Sequence, residues 1–294
     1  MQLSDATYTA TRQALLAPGS EQLIDLAFRM ALGRPVGPEL SEARNAAVGL
    51  GWLKPETHTF KPEGRLLADS LREYQFWQQR NRKLPLEGQI AYHSQAYYSG
   101  KSVAEIGCGY GSNLYDIRRT AGSVIGVEPC RVYHQMSAIL AEREGVEPLN
   151  LRWGRAEEIP LESNSCDLVL CVSVHQYTDV RAAIREMARI LRPGGELQIV
   201  GGTLGAFAYD CAKPMLKGSL RSAVGYTRTI VDTLSYMSVG RRLTGTISNP
   251  STGFPVYPTE GIMDRWLRGA GLIENRPPAR AWPETVFNYR KPEA

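Results

Sequence analysis

The run Val103-Ala104-Glu105-Ile106-Gly107-Cys108-Gly109-Tyr110-Gly111-Ser112-Asn113 sets glycines at alternate positions behind a short apolar stretch, with an acid two residues before the first. Glycine lets a backbone turn tightly and approach a ligand closely. A helix opening behind the loop adds free N–H groups and a partial positive charge. A glycine-rich turn of this kind can serve NAD or FAD, and its spacing decides between ligands. G-x-G-x-x-G counted from Gly107 wants glycine or alanine at 112, where Ser112 stands. A carboxylate at Glu105 repels a pyrophosphate and suits an ammonium or sulfonium ligand.

Two further groups could take part in chemistry. Glu128 ends the apolar run SVIGVE, about 20 residues beyond the loop, where an acid can accept both hydroxyls of a ribose. His175 lies in Ser173-Val174-His175-Gln176-Tyr177, after the apolar run CDLVLCV. Histidine titrates near neutral pH and can act as a general base; capping a pocket or bonding backbone is its other reading.

These residues need elements to position them. From Lys101 onward, short apolar runs alternate with helical stretches, the pattern of a parallel α/β sheet. SVAEIG, SVIGVE, LNLRW, CDLVLCVSV and ELQIVGG read as strands. Helices are expected at Ser112 to Arg119, Arg131 to Arg143 and Val180 to Leu191, the last stopping at Arg-Pro-Gly-Gly. A helix at Gly261 to Ala270 and strands near 272–279 and 285–290 close the pattern. Before Lys101 the chain reads as helix-rich. Leu23, Ile24, Leu26, Ala27, Met30 and Ala31 have helical spacing, broken by Gly33 and Pro35. A second helix spans roughly Pro38 to Leu50, strand-like alternation covers Trp52 to Phe60, and a long helix runs from Pro62 to about Arg80. Leu66, Leu67, Leu71 and Phe76 are its expected buried positions.

In this order, the motifs resemble the class I S-adenosylmethionine-dependent methyltransferases. The glycine loop is similar to motif I of that family. Gly154-Arg155-Ala156-Glu157-Glu158-Ile159-Pro160 resembles its G-D-A-x-x-L-P segment, with Arg155 in place of the usual aspartate, so the Ala156 backbone or Glu157 would have to border the adenine. Ser165-Cys166-Asp167-Leu168-Val169 resembles S-F-D-x-V, and Ile190-Leu191-Arg192-Pro193-Gly194-Gly195 resembles V-L-K-P-G-G. The resemblance covers residues 100–202 and the closing helix and strands. It implies an α/β fold of Rossmann-like, doubly wound type, with a mostly parallel seven-stranded sheet, helices on both faces, a helix-rich N-terminal region and an inserted helical lid. It also implies S-adenosylmethionine as cofactor, bound by Glu105, Gly107, Cys108, Gly109, Gly111, Asn113, Glu128, Pro129, Ala156, Glu157 and Cys171. His175 becomes the candidate catalytic base, since the loop after the fourth strand faces the methyl group in this family. Tyr110, Tyr92, His93, Tyr97 and Tyr98, within or just before the glycine loop, are expected mostly to pack.

Residues 1–99 resemble the winged-helix fragment in front of some natural-product O-methyltransferases, where it dimerises the enzyme and caps the substrate pocket. This points to secondary metabolism and a homodimer. DNA binding is the lesser reading, because PELSEARNAAVGL carries more acids than bases and phosphate contacts need Lys and Arg. Residues 100–294 form the expected methyltransferase domain, and 206–256 a substrate-binding insertion within it. Tyr177, Tyr209, Arg221 and Tyr226 are the expected acceptor contacts; a solvated pair of amphipathic helices is the alternative for the insertion.

Composition narrows the classes. The chain has 294 residues, 34 Lys+Arg against 30 Asp+Glu, and a net charge of +4, with no concentrated basic stripe for nucleic acid. The five cysteines lack CxxC spacing and the four histidines are scattered, so neither a disulfide framework nor a metal site is expected. No apolar run is long enough to span a bilayer. A cytoplasmic protein with a small-molecule acceptor and no membrane partner is the resulting expectation. An RNA or protein methyltransferase, or a donor-binding regulatory protein without turnover, are the alternatives.

Overall fold

The computed structural model describes residues 1–83, 95–215, 220–244, 255–281 and 284–293. The chain divides into two compact units: Met1–Tyr97 with Cys108–Thr120 and Val124–Trp153, and Tyr98–Gly107 with Ala121–Ser123 and Gly154–Ala294. The strands are β1 (Ser102–Ile106), β2 (Ser123–Glu128), β3 (Leu151–Trp153), β4 (Cys166–Val172), β5 (Leu191–Gly202), β6 (Ile273–Ala281) and β7 (Glu284–Arg290). They form a seven-stranded sheet in the order β3-β2-β1-β4-β5-β7-β6. The β2–β3, β1–β4 and β4–β5 pairs are parallel, and β7 runs antiparallel to both β5 and β6. This is the Rossmann-like α/β fold that the motifs imply.

In the first unit, α1 (Asp5–Leu16), α2 (Glu21–Ala31), α3 (Ser41–Gly49) and α4 (Pro62–Lys83) precede α6 (Ser112–Ile117) and α7 (Arg131–Glu144). Ser4 caps α1 by accepting the Thr7 amide. Leu23, Ile24, Leu26 and Ala27 of α2 and Leu67, Ala68 and Leu71 of α4 join Val132, Met136, Ile139 and Leu140 of α7 in one apolar cluster. The N-terminal helices therefore share their core with the helix that follows β2. Two expectations need correction. Phe76 is 38% exposed, with its edge against the Phe28 ring, whereas Tyr74 turns inward instead. The stretch from Trp52 to Phe60 forms no regular strand: it is a tight turn holding one antiparallel bridge, Leu53–Phe60, flanked by the Lys54 amide on the Thr59 carbonyl and the Lys61 amide on the Trp52 carbonyl, with His58 at a φ of 51° in the turn.

The short helix α5 (Gln95–Tyr98) precedes β1 in the chain, and in the second unit α8 (Val180–Ile190) packs Val180, Ala183, Ile184 and Met187 inward. The helix ends at Ile190, one residue before the expected Leu191. However, β5 begins at once at Leu191 and carries the Arg-Pro-Gly-Gly stretch within the strand, beside a register shift against β4. The insertion contributes α9 (Leu204–Met215) and α10 (Leu220–Val239), after which α11 (Glu260–Gly269) precedes β6.

Candidate functional site

The first unit holds the loop glycines after Gly107 and the acid of β2. Gly109 and Gly111 have φ of 57° and 94°, a left-handed conformation that side chains rarely adopt. A Cβ on Gly111 would overlap the Leu149 side chain, whereas Gly109 faces open space with nothing within 4 Å. The amide of Gly109 donates to Glu128 Oε2 at 3.1 Å, and the amide of Cys130 to Oε1 at 2.8 Å. Glu128 is only 5% exposed. Burial pushes its carboxyl up to about 7, while the Cys130 and Gly109 amides pull the other way and the Asp69 carboxylate adds to the rise. His134 Nε2 lies 2.8 Å from the Glu128 carbonyl oxygen. Asn113 and Tyr110 are buried at the start of the helix and in the loop, and Tyr110 packs on Tyr115. Pro129 accepts the Trp153 indole N–H through its carbonyl at 2.9 Å, and Arg131 lies over the same indole at 5.3 Å. Trp153 is 58% exposed, an aromatic plate beside Glu128-Pro129-Cys130 that sequence reading missed. Its only signal was a tryptophan closing a weak strand.

The second unit holds β1, its first glycine and the loop after β4. Glu105 is buried near the end of β1. Gly107 has φ of 72°, and a Cβ there would meet both Val174 methyls at 2.5 Å. That contact seats the start of the glycine loop against the His175 turn. Ser173 takes φ of 55° at the end of β4, a conformation that costs about 1 kcal/mol or more for a residue with a side chain. Cys171 is fully buried; burial pushes its thiol up to about 12 despite the His175 and Val174 amides. His175 itself is 1% exposed. Its ring fills the space above Gly201, where a Cβ would come within 2.7 Å of Nδ1. Burial lowers its pKa to about 4, partly offset by the Gly202 backbone, so the ring is neutral around pH 7. Neither ring nitrogen has a hydrogen-bond partner of good geometry among the described residues.

Ala156 is buried. The Glu157 carboxylate is used internally: Oε1 accepts the Asp179 amide at 2.9 Å and Oε2 accepts from Arg155 at 3.3 Å. Arg155 thus ties down the residue that would have to stand in for the missing aspartate. Tyr177 is 38% and Tyr209 56% exposed. Tyr226 sits edge-on to Phe207 at 5.9 Å, and Phe207 stacks on Tyr257 at 4.6 Å. Tyr257 also lies over Gly202, at the end of β5. Arg242 donates to the carbonyls of Gln176 and Thr178, which fastens the insertion over the His175 turn. Tyr97 is partly buried and Tyr98 fully so. Tyr92 and His93, and the side chain of Arg221, lie outside the described residues.

Residues 104–199 match the protein family described as methyltransferase domain. An uncharacterized methyltransferase, YcgJ, of Bacillus subtilis strain 168 is 31% identical over 99 residues, 33% of this chain and 39% of the relative. A fatty-acid O-methyltransferase of Mycolicibacterium smegmatis is 33% identical over 117 residues, 35% of this chain and 39% of the relative. The chain thus spans about two fifths of the length of these curated relatives. A solved structure of a SAM-dependent methyltransferase from Methanosarcina mazei has 15% sequence identity and a TM-score of 0.50, and the match covers 68% of this chain and 97% of that one. Residues 104–199 thus match a methyltransferase domain, and the likeness to the solved structure is one of fold, the Rossmann-like α/β sheet described above. No helix among the described residues is long and apolar enough to cross a membrane.

Proposed function

We propose that this protein transfers the methyl group of S-adenosylmethionine to a nucleophile of a small molecule. The observation that carries this reading is Glu128, a buried acid at the end of β2 whose two oxygens are each aimed by a backbone amide. A carboxylate held this way keeps lone pairs for the two ribose hydroxyls of the donor. The open space over Gly109 fits close approach of that ligand, and Glu105 supplies negative charge toward its cationic end. Gly107, Cys108, Gly111 and Asn113 shape the loop in this reading. Pro129 and Trp153 border the adenine, with Ala156 offering backbone in place of an aspartate.

Methyl transfer from a sulfonium is an in-line displacement on an activated carbon. Holding donor and nucleophile in line can supply roughly 7–11 kcal/mol. A base is needed only for a nucleophile that is protonated at working pH. His175, neutral and buried, suits hydrogen bonding to the acceptor or its loop; as a base it would be weak, since its conjugate acid has a pKa of about 4. Tyr177, Tyr209, Arg221 and Tyr226 are the proposed acceptor contacts. The N-terminal helices are proposed to dimerise the chain, and its place is the cytoplasm.

The test is calorimetric titration of wild type and Glu128→Ala with S-adenosylhomocysteine, with NAD in parallel. Binding of S-adenosylhomocysteine alone, weakened in the variant, supports the reading. Binding of NAD instead, or of neither ligand to stripped protein, removes it.

A further inference from the structure

Helix α10 is inverted relative to an ordinary surface helix. The side packed inward carries Thr229, Asp232 and Thr233 at 3%, 0% and 0% exposure, together with Tyr236. The side facing outward carries Val224, Val231 and Leu234 at 52%, 38% and 48%, with exposed Thr227, Arg228 and Ser238 among them. Val239 and Leu243, at 68% and 70%, extend the apolar surface through the turn that follows. A surface helix normally points its polar stripe at water. Here the polar residues are structural. Asp232 accepts the amides of Leu243 and Thr244 and the Thr244 hydroxyl, and Thr233 accepts the amide of Tyr257. Tyr236 bonds to Asp179 at the start of α8. The helix is therefore fixed in this rotation, and its apolar side stays outward.

Charge says what that side meets. From 211 to 259, between Asp210 and Glu260, the sequence has six basic residues and one acid, the buried Asp232; of the basic ones Arg242 turns inward onto backbone carbonyls. Arg228 and Arg241 are exposed alongside the apolar residues. A second copy docked on this face would bring like charges together. An anionic lipid surface offers both partners at once, acyl chains for the valines and leucines and headgroups for the arginines. We propose that the outer face of α10 docks this protein onto an anionic lipid surface. The helix lies on the surface without crossing it, which revises the expectation of no membrane partner at the level of the headgroup layer only. This proposal goes beyond the donor reading and does not depend on it.

The experiment is co-sedimentation of the full chain with vesicles of phosphatidylcholine alone and of equal parts phosphatidylcholine and phosphatidylglycerol, without donor. Wild type is expected to sediment with the anionic vesicles, to stay soluble with the neutral ones, and to be released by raised salt. Val231→Ser with Leu234→Ser, and separately Arg228→Glu, should each weaken sedimentation by about tenfold. Unchanged thermal midpoints confirm that both variants fold. No sedimentation of wild type, equal sedimentation of the folded variants, or a concentration-dependent dimer in light scattering that the same substitutions dissolve would each overturn the proposal. The last outcome would assign the face to a second copy. Because no donor is present, failure here leaves the S-adenosylhomocysteine titration untouched, and the converse holds too.

Discussion

Glu128 and Gly109 are joined by a hydrogen bond of 3.1 Å in which the loop amide donates to the carboxylate Oε2. The bond ties the turn of the glycine loop to the acid of the neighbouring strand, so that loop shape and acid orientation are set together. A second amide, from Cys130, holds the other oxygen at 2.8 Å. No side chain is needed to aim the acid, and no side-chain rotamer has to be ordered when a ligand arrives.

Donor affinity should follow the charge of this acid. Burial pushes the Glu128 carboxyl up to about 7, and only the ionised form is a pure acceptor for ribose hydroxyls. S-adenosylhomocysteine should bind progressively more weakly as pH falls below about 7, approaching tenfold per pH unit. Glu128→Gln should bind weakly at every pH and lose this dependence. Titration calorimetry across the neutral range checks both, and a pH-independent wild type would detach the acid from binding.

Gly107 should tolerate no side chain. Its φ of 72° disfavours one, and a Cβ would press on Val174 at 2.5 Å. Gly107→Ala is expected to destabilise the fold by about 1–3 kcal/mol and to displace the turn that carries His175. Thermal unfolding measures the first effect. A loss of S-adenosylhomocysteine affinity beyond that of an equally destabilised core variant measures the second.

Much of this was legible from period and punctuation. The alternation of apolar runs with helical stretches marks β1, β2, β4 and β5, because buried parallel strands have to be short, apolar and bounded by turns, and the run after α11 marks the antiparallel closing pair. Glu105, the loop glycines and Glu128 stand out in the sequence because a short apolar run, a glycine turn and an acid ending the next run are local features, and the structure sets the Gly109 amide on the Glu128 carboxylate. Phe76 was misplaced because helical spacing alone does not say which of two adjacent faces wins, and Tyr74 won through its bond to Glu144. Trp153 with Arg131, and the closure of Arg242 over Gln176, depend on chain segments meeting in space. Spacing carries no such information. The inversion of α10 was hidden for a related reason: its buried polar residues find partners at 179, 181, 243, 244 and 257.

Tyr236 should act as the pin between the insertion and α8. Its hydroxyl donates to Asp179 Oδ1 at 2.6 Å and accepts the Arg181 amide at 3.2 Å, while the same Asp179 oxygen caps α8 through the Ala182 amide at 3.1 Å. Tyr236→Phe removes both bonds, the one to Asp179 and the one from the Arg181 amide. A loss of about 1–3 kcal/mol is expected. Hydrogen exchange should show faster opening of α10 while β4 keeps its protection; equal acceleration of both would mean the pin holds nothing local.

Stability against pH should expose two opposed groups. Glu128 titrates at about 7 when folded against an ordinary value of 4.5, so between these limits the folded state holds the extra proton and stability falls as pH rises. His175 titrates at about 4 against 6.5, so between those limits the unfolded chain holds the extra proton and stability rises with pH. The two windows overlap from 4.5 to 6.5. Each shift corresponds to roughly 3 kcal/mol at most, and the slopes are opposite. Wild type should therefore show a flat profile through the overlap. Glu128→Gln removes the falling component and should become less stable as pH drops from 6.5 toward 4.5. His175→Gln removes the rising component and should become more stable over the same descent. Urea unfolding of the three proteins at several pH values checks this, and parallel profiles would mean that neither group is held away from its ordinary pKa.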